Sequence, residues 1–165
     1  MMRSYRGELG SFKYNDDEFM LTIDIQNKEY LHYIGGEVYG ENITIPDNCT
    51  NCRRMFENNF HLLTPPEYPK DEFGYDIVRS TWGMFRNCYN LRTAARVPDT
   101  DKDCTCMFYG CGLIESPPLI VTGVLYCNWM FAHCVSLKCR ATFEAPCLVE
   151  EMDAMYYRCD QFNDR

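Results

Sequence analysis

Apolar side chains recur along this chain with the spacing of one face of an amphipathic helix. The clearest example is written twice, as CTCMFYGCGLI and as CNWMFAHCVSL, with Met107 and Met130 at equivalent places 23 residues apart. Counted from the methionine, sulfur or apolar residues stand at positions −3, 0, +1, +4 and +7 in both copies. This spacing predicts a short helix with one buried side in each copy.

The same pattern occurs five times, which predicts an array of stacked units. A single helix of this length is marginal in water, so each unit needs neighbours of its own kind. The residues expected to form the shared core are the Met-aromatic pairs and the cysteines at position +4: Met55, Phe56, Met84, Phe85, Cys88, Met107, Phe108, Cys111, Met130, Phe131, Cys134, Met155, Tyr156 and Cys159.

Short extended segments follow the first four predicted helices, at residues 62–64, 91–94, 114–116 and 137–139, and prolines come after these segments. Prolines cannot donate to a β-ladder, so they mark strand ends. The predicted fold class is therefore an α/β repeat, a short leucine-rich-repeat-like solenoid of about five helix-plus-short-strand units. It occupies residues 46–165.

Residues 1–45 lack the repeat and predict β-structure. Residues 19–25 and 30–34 are apolar or β-branched runs separated by a polar hairpin turn around residues 26–28. An open array needs a polar-faced end, so this segment is expected to form an N-terminal β-cap that folds with the repeats.

Composition and charge narrow the class of protein. The 165 residues carry 11 cysteines and a net charge of −8. Most cysteines hold one phase of the repeat, their number is odd, and no secretory signal precedes them, which favours reduced core thiols in a cytoplasm over a disulfide framework. The chain has no apolar run long enough to span a membrane. It has no basic stripe for nucleic acid, so a protein partner with a basic surface fits better.

The string C-x-x-M-F-x-x-C-x-x-L, with prolines after it and YLHYIG and ITIP before it, resembles the BspA-type leucine-rich repeats of mycoplasma, gut-bacterial and phage proteins. The likeness covers residues 28–165. It implies the solenoid fold and a protein-interaction or adhesion surface, and it implies no catalytic residue. The chain departs from the pattern at Asn59, where the other units have cysteine, and in lacking an export signal.

Candidate reactive groups are few. Cys49 and Cys52 have the spacing of half a zinc site or of a redox pair, but the chain has no second pair of this kind. His133 and Cys134 are adjacent, whereas catalytic cysteine and histidine are normally brought together by the fold. We therefore predict no enzyme activity, no metal and no cofactor.

Two sets of residues are candidates for binding a protein. The first is an insertion in which aromatic and acidic side chains alternate, since insertions in repeat proteins emerge as loops on one face. The second is the outward position +2, which varies in charge and size. The candidates are Tyr68, Asp71, Glu72, Phe73, Tyr75 and Asp76 in the insertion and Glu57, Arg86, Tyr109 and Tyr157 at position +2.

Three functions are compatible with these features. The first is non-catalytic protein recognition through a rigid repeat surface, in a bacterial or phage protein. The second is a phage-type acidic inhibitor that occupies the nucleic-acid groove of a host defence enzyme. The third is a structural subunit of a virion or surface assembly, in which the last repeat, with Tyr157 and Phe162, pairs with a second copy.

Overall fold

A computed structural model describes residue 45 and residues 49–60 and 62–161 in full, together with the backbone of three strands. The strands are β1 (Phe12–Asn15), β2 (Met20–Ile25) and β3 (Lys28–Tyr33). They form one antiparallel sheet in the order β1, β2, β3. The pairing of β2 with β3 confirms the predicted hairpin, while its turn residues 26 and 27 lie outside the described residues.

The predicted helix-plus-strand repeat solenoid is wrong. The described residues contain no helix, and their three strands all precede residue 34. The predicted extended segments at residues 62–64, 91–94, 114–116 and 137–139 contain no strand. Parallel pairing in the described part of the chain consists of isolated bridges elsewhere, such as those from Tyr126 to Asp103 and to Glu151. The helical spacing of the sequence is met by a different backbone, a run of overlapping turns.

Each Met-aromatic pair lies in a run of turns with two left-handed residues four positions apart. The backbone angle φ is positive at positions −1 and +3 of every unit: Arg54, Asn58, Gly83, Asn87, Cys106, Gly110, Trp129, His133, Ala154 and Arg158. A right-handed helix needs negative φ at every residue, so this alternation excludes one. Instead, the N–H of Met107 donates to the carbonyl of Cys104, three residues earlier, at 3.1 Å, and the same β-turn closes in each unit.

Every second peptide group points out of its own run and bonds to the next run. In the third run, the N–H groups of Cys104, Cys106, Phe108 and Gly110 donate to the carbonyls of Tyr126, Asn128, Met130 and Ala132 at 2.8–3.0 Å. The peptide groups between them close the turns. The backbone is thus paired without helix or ladder, as burial requires. We call these runs turn layers 1 to 5 (residues 52–58, 81–87, 104–110, 127–133 and 152–158).

A column of aromatic rings runs through the layers. Its rings belong to Phe56, Phe85, Phe108, Phe131 and Tyr156. Neighbouring centroids are 5.5–5.8 Å apart and the ring planes lie within 8° of each other, an offset stack. The four phenylalanines are fully buried and Tyr156 is half-buried. The methionines before these rings are also buried, so this column and the methionines form the centre of the core.

The cysteines at position +4 connect consecutive layers. The Sγ of Cys88, Cys111, Cys134 and Cys159 lies 2.9–3.1 Å from the carbonyl oxygen of the core ring residue one layer before. Burial raises the pKa of Cys88 to about 12 and also raises that of Cys111, so these thiols stay protonated and can donate. In the first unit Asn59 occupies this position, and its Oδ1 accepts the N–H of Leu62 at 3.1 Å.

One prediction falls at the limit of the described part. Phe162, the expected contact of a paired last repeat, lies outside the described residues. Within the described part of the chain, no helix is long and apolar enough to cross a membrane.

Candidate interaction face

The outer side of turn layers 3 to 5 carries four ring side chains in mutual contact. Tyr109 contacts His133 at a centroid distance of 5.1 Å, and His133 contacts Tyr157 at 5.6 Å with the rings nearly perpendicular. Trp129 meets Tyr157 edge to face at 5.6 Å. Trp129 and Tyr157 are 40% and 47% exposed. We call Tyr109, Trp129, His133 and Tyr157 the aromatic face.

Guanidinium groups border the aromatic face on two sides. The Cζ of Arg86 lies 5.1 Å from the centroid of the Tyr109 ring, and that of Arg158 lies 5.5 Å from the Tyr157 ring. At these distances a cation is attracted by the ring, which holds both partners in place. Glu57 pairs with Arg86 at 3.6 Å, and it also bonds to the neighbouring Arg54.

On the outer side of layers 1 and 2, two arginine side chains pack over a tryptophan ring. Arg53 and Arg54 both lie over the Trp82 ring, at 5.0 and 5.7 Å from its centroid. At the other end of the stack, Glu150 and Glu151 just before layer 5 and Asp153 within it are exposed, together with Arg158. The two ends of the stack therefore carry charge, and the aromatic face lies between them along the chain.

The four residues predicted at position +2 all lie on this outer side. Glu57 and Arg86 form its ion pair, and Tyr109 and Tyr157 belong to the aromatic face. Trp129 and His133 were not among the predicted residues; they stand at the left-handed positions −1 and +3. The other units place glycine or asparagine at several of these positions, so a bulky ring there was the sequence signal that could have singled them out.

The 67–76 insertion forms a small hairpin with an exposed apolar tip. Lys70 and Asp76 pair as an antiparallel bridge, and the carboxylate of Asp71 accepts the N–H groups of Phe73 and Tyr75 at 2.9 Å. Phe73 and Tyr75 are 76% and 67% exposed. Glu72 is exposed beside them. Four of the predicted binding residues, Asp71, Glu72, Phe73 and Tyr75, therefore form a protruding tip.

Tyr68 and Asp76 differ from the rest of the insertion because the structure buries both. Asp76 forms an ion pair with Arg96, whose guanidinium lies 5.2 Å from the centroid of the Tyr68 ring. The hydrogen bonds from Arg96 hold the pKa of Asp76 below its usual value. These residues fasten the base of the hairpin to the core, so neither side chain is available to a partner.

Two of the four acids in the insertion are engaged inside the molecule. Asp71 binds backbone N–H groups of its own turn, and Asp76 is neutralised by Arg96. Only Glu67 and Glu72 remain to imitate the regularly spaced phosphates of a nucleic acid. The inhibitor hypothesis stays a prediction, and this loop gives it little support.

A second buried carboxyl group lies inside the stack. Asp101 accepts the Thr81 hydroxyl and, at 3.0 Å, the N–H of Asp103. Burial raises the pKa of Asp101, in contrast to Asp76 with its cation. The hydroxyl of Tyr68, also buried, has no hydrogen-bond partner among the described residues.

His133 and Cys134, although adjacent in sequence, do not form a nucleophile and base pair. Among the described residues, no group of three His, Cys, Asp or Glu side chains is arranged to hold a metal ion. Cys134 points into the core and bonds to the Phe108 carbonyl, whereas the His133 ring lies on the aromatic face. Burial raises the pKa of the Cys134 thiol, which opposes formation of a nucleophilic thiolate.

Comparison of the chain with protein-family models, with curated proteins and with solved structures gives no match.

Proposed function

We propose that this protein is a non-catalytic recognition module that binds another protein through the aromatic face. The observation that carries the proposal is the contact chain from Tyr109 through His133 to Tyr157 and Trp129 on a frame of bonded layers. Trp129 and Tyr157 are exposed, and Tyr109 and His133 are half-buried. Tyrosine, tryptophan and arginine are the residues most often found at the energetic centres of protein interfaces.

The frame favours binding because it limits the entropy lost on docking. Each ring on the aromatic face has two rotatable side-chain bonds, and its neighbours or an arginine already restrict them. The backbone beneath is fixed by bonds between layers. Association then costs less conformational entropy than it would on a loop surface.

Charge supports an orientation for the partner. The acidic side chains of Glu150, Glu151 and Asp153 are exposed at the layer 5 end of the stack, and Arg53 and Arg54 are exposed at the opposite end. A partner with a basic patch beside an apolar centre would meet complementary charge at the acidic edge. This agrees with the expectation from the net charge of −8.

The test compares two pairs of exposed rings. Immobilised wild-type protein and the double variant Trp129→Ala with Tyr157→Ala are exposed to a lysate of the source cells, and bound proteins are quantified by mass spectrometry. We expect a specific partner of the wild type to bind the double variant at least about tenfold more weakly.

The matched control removes Phe60 and Tyr89, another stacked and exposed ring pair with centroids 5.5 Å apart. The variant Phe60→Ala with Tyr89→Ala should bind as the wild type does, and both variants should melt cooperatively. A partner that is retained by the first variant and lost by the second would contradict the proposed site.

A further inference from the structure

Two thiols lie side by side where the chain enters turn layer 1. The Sγ atoms of Cys49 and Cys52 are 3.9 Å apart, and both side chains are in the reduced state. Cys49 is 8% exposed, and Cys52 is fully buried behind it. The next residue, Thr50, is exposed, so the pair lies just below the surface.

This pair differs from the other buried thiols in what each sulfur faces. The thiols of Cys88, Cys111 and Cys134 each bond to a backbone carbonyl of the preceding layer. The sulfurs of Cys49 and Cys52 instead lie within bonding distance of each other, and Cys49 also bonds to the carbonyl of its near neighbour Asn51 at 3.4 Å. The hydrogen bond from Cys52 lowers the pKa of Cys49, and the same bond together with burial raises the pKa of Cys52. The outer sulfur thus has thiolate character and the inner sulfur holds the proton.

We propose that Cys49 and Cys52 form a redox-active dithiol that a low-molecular-weight disulfide, such as oxidised glutathione, converts into an intramolecular disulfide. The Cys49 thiolate attacks one sulfur of the oxidant, forming a mixed disulfide and releasing one glutathione thiolate. The Cys52 thiol then gives its proton to the released glutathione thiolate and attacks the Sγ of Cys49, releasing the second glutathione as a thiolate that takes a proton from solvent. Two protein thiols are oxidised and one glutathione disulfide is reduced to two thiols.

The geometry suits both steps. The partly exposed Cys49 is the sulfur that an oxidant reaches, and the buried Cys52 can be oxidised only through it. A disulfide bond is about 2 Å long, so the sulfurs must approach by a further ~2 Å, which side-chain rotation in a C-x-x-C pair supplies. Once Cys49 enters the mixed disulfide, its negative charge no longer opposes ionisation of Cys52.

The test uses the intact chain, because trypsin isolates the pair. The tryptic peptide 29–53 contains Cys49 and Cys52 and no other cysteine. Folded protein is incubated with oxidised glutathione, the remaining thiols are blocked, and the digest is measured by mass spectrometry. We expect this peptide to lose two hydrogen atoms at least about tenfold faster than peptide 87–92, which carries the buried Cys88 as its one cysteine, becomes modified, and a reductant to restore it.

Variants identify the order of the steps. Cys52→Ser should stop at one glutathione on residue 49, and Cys49→Ser should leave Cys52 unmodified while the protein is folded. Cys106, Cys139 and Cys147, which are partly or fully exposed, are replaced by serine in all samples of this series so that they cannot compete. A wild-type peptide 29–53 that keeps both thiols, or that gains two glutathiones instead of an internal bond, would overturn the proposal.

Discussion

The inner side of the turn layers repeats from one layer to the next, whereas the outer side changes. Inside, four phenylalanines and one tyrosine stack with their planes within 8° of each other. Outside, position +2 passes from Glu57 and Arg86 to Tyr109 and Tyr157, and Ala132 in layer 4 is buried. Side chains that stack on one another must keep the same shape at the same spacing, whereas side chains that face solvent can differ from layer to layer. The variation of the outer side is therefore available for recognition.

The largest effect on unfolding free energy should come from placing the same charged residue first at an inner position and then at the adjacent outer position. Phe108 is fully buried between two rings, and Tyr109 beside it is half-buried under Arg86. Phe108→Asp places an unpaired charge in the core and should cost at least about 4 kcal/mol of unfolding free energy. Tyr109→Asp should cost about 1 kcal/mol or less. Denaturant unfolding measures both, and similar costs for the two would contradict the inner and outer assignment.

Two nearby glycines provide the second contrast. A Cβ on Gly110 would lie 2.6 Å from Asn87 Oδ1 at a φ of +74°, whereas on Gly112 it would meet only Val135 Cγ2 at 3.8 Å. Gly110→Ala should lower the unfolding free energy by about 2–3 kcal/mol, because it adds left-handed strain to a clash between layers. Gly112→Ala should change it by less than about 0.5 kcal/mol. Equal effects in thermal unfolding would mean that layers 2 and 3 are not in close contact.

The two buried carboxyl groups should respond to pH in opposite directions. Asp76 has a lowered pKa, so its contribution is present above the unfolded carboxyl pKa and is lost as pH falls through the folded value. Asp101 has a raised pKa, so stability decreases as pH rises from the unfolded value through the folded one.

The variants Asp76→Asn and Asp101→Asn isolate these contributions. We compare the unfolding free energy of each variant with that of the wild type as pH rises from acidic to neutral. Relative to the wild type, Asp76→Asn should become less stable over this range, and Asp101→Asn should become more stable. The asparagine at position 101 can still accept the N–H of Asp103 and can donate to Thr81. Slopes of the same sign would show that the two environments are not as described.

The smallest effect concerns backbone strain at the outer side. Ala154 has a φ of +50°, a conformation that costs an alanine about 1–2 kcal/mol and a glycine almost nothing. Ala154→Gly should therefore leave the unfolding free energy unchanged or raise it by up to about 1 kcal/mol. Ala94→Gly, at an ordinary φ, should lower it by about 0.5–1 kcal/mol. A loss at residue 154 as large as that at residue 94 would argue against the left-handed backbone.

The sequence predicted correctly which residues form the core of the repeat units. It did not predict the backbone conformation that brings them together. Positions −3, 0, +1, +4 and +7 lie on one side of a helix and also on one side of the turn layers, so the spacing alone does not separate the two. The sign of φ separates a helix from the turn layers. Left-handed residues are indicated in the sequence where glycine or asparagine stands at positions −1 and +3, as at Asn58, Gly83, Asn87 and Gly110. Trp129 and His133 occupy the same positions in layer 4, so the pattern is not regular enough to be recognised from the sequence.

The candidate site was predicted only in part for a related reason. Position +2 led to Tyr109 and Tyr157, but their contacts with Trp129 and His133 depend on how neighbouring layers are aligned. Asp76 and Tyr68 looked like loop residues, yet Arg96 binds the first and covers the second. No pattern in the sequence between residues 76 and 96 predicts that ion pair.

The most direct test of the layered backbone identifies the acceptor of one amide proton. A long-range NMR experiment detects scalar coupling across the hydrogen bond from an amide nitrogen to the carbonyl carbon that accepts its proton. We predict a correlation from the Phe108 amide to the Met130 carbonyl, the partner at 3.0 Å in the next layer. A correlation from Phe108 to the carbonyl of Cys104, four residues earlier as in an α-helix, would contradict the account.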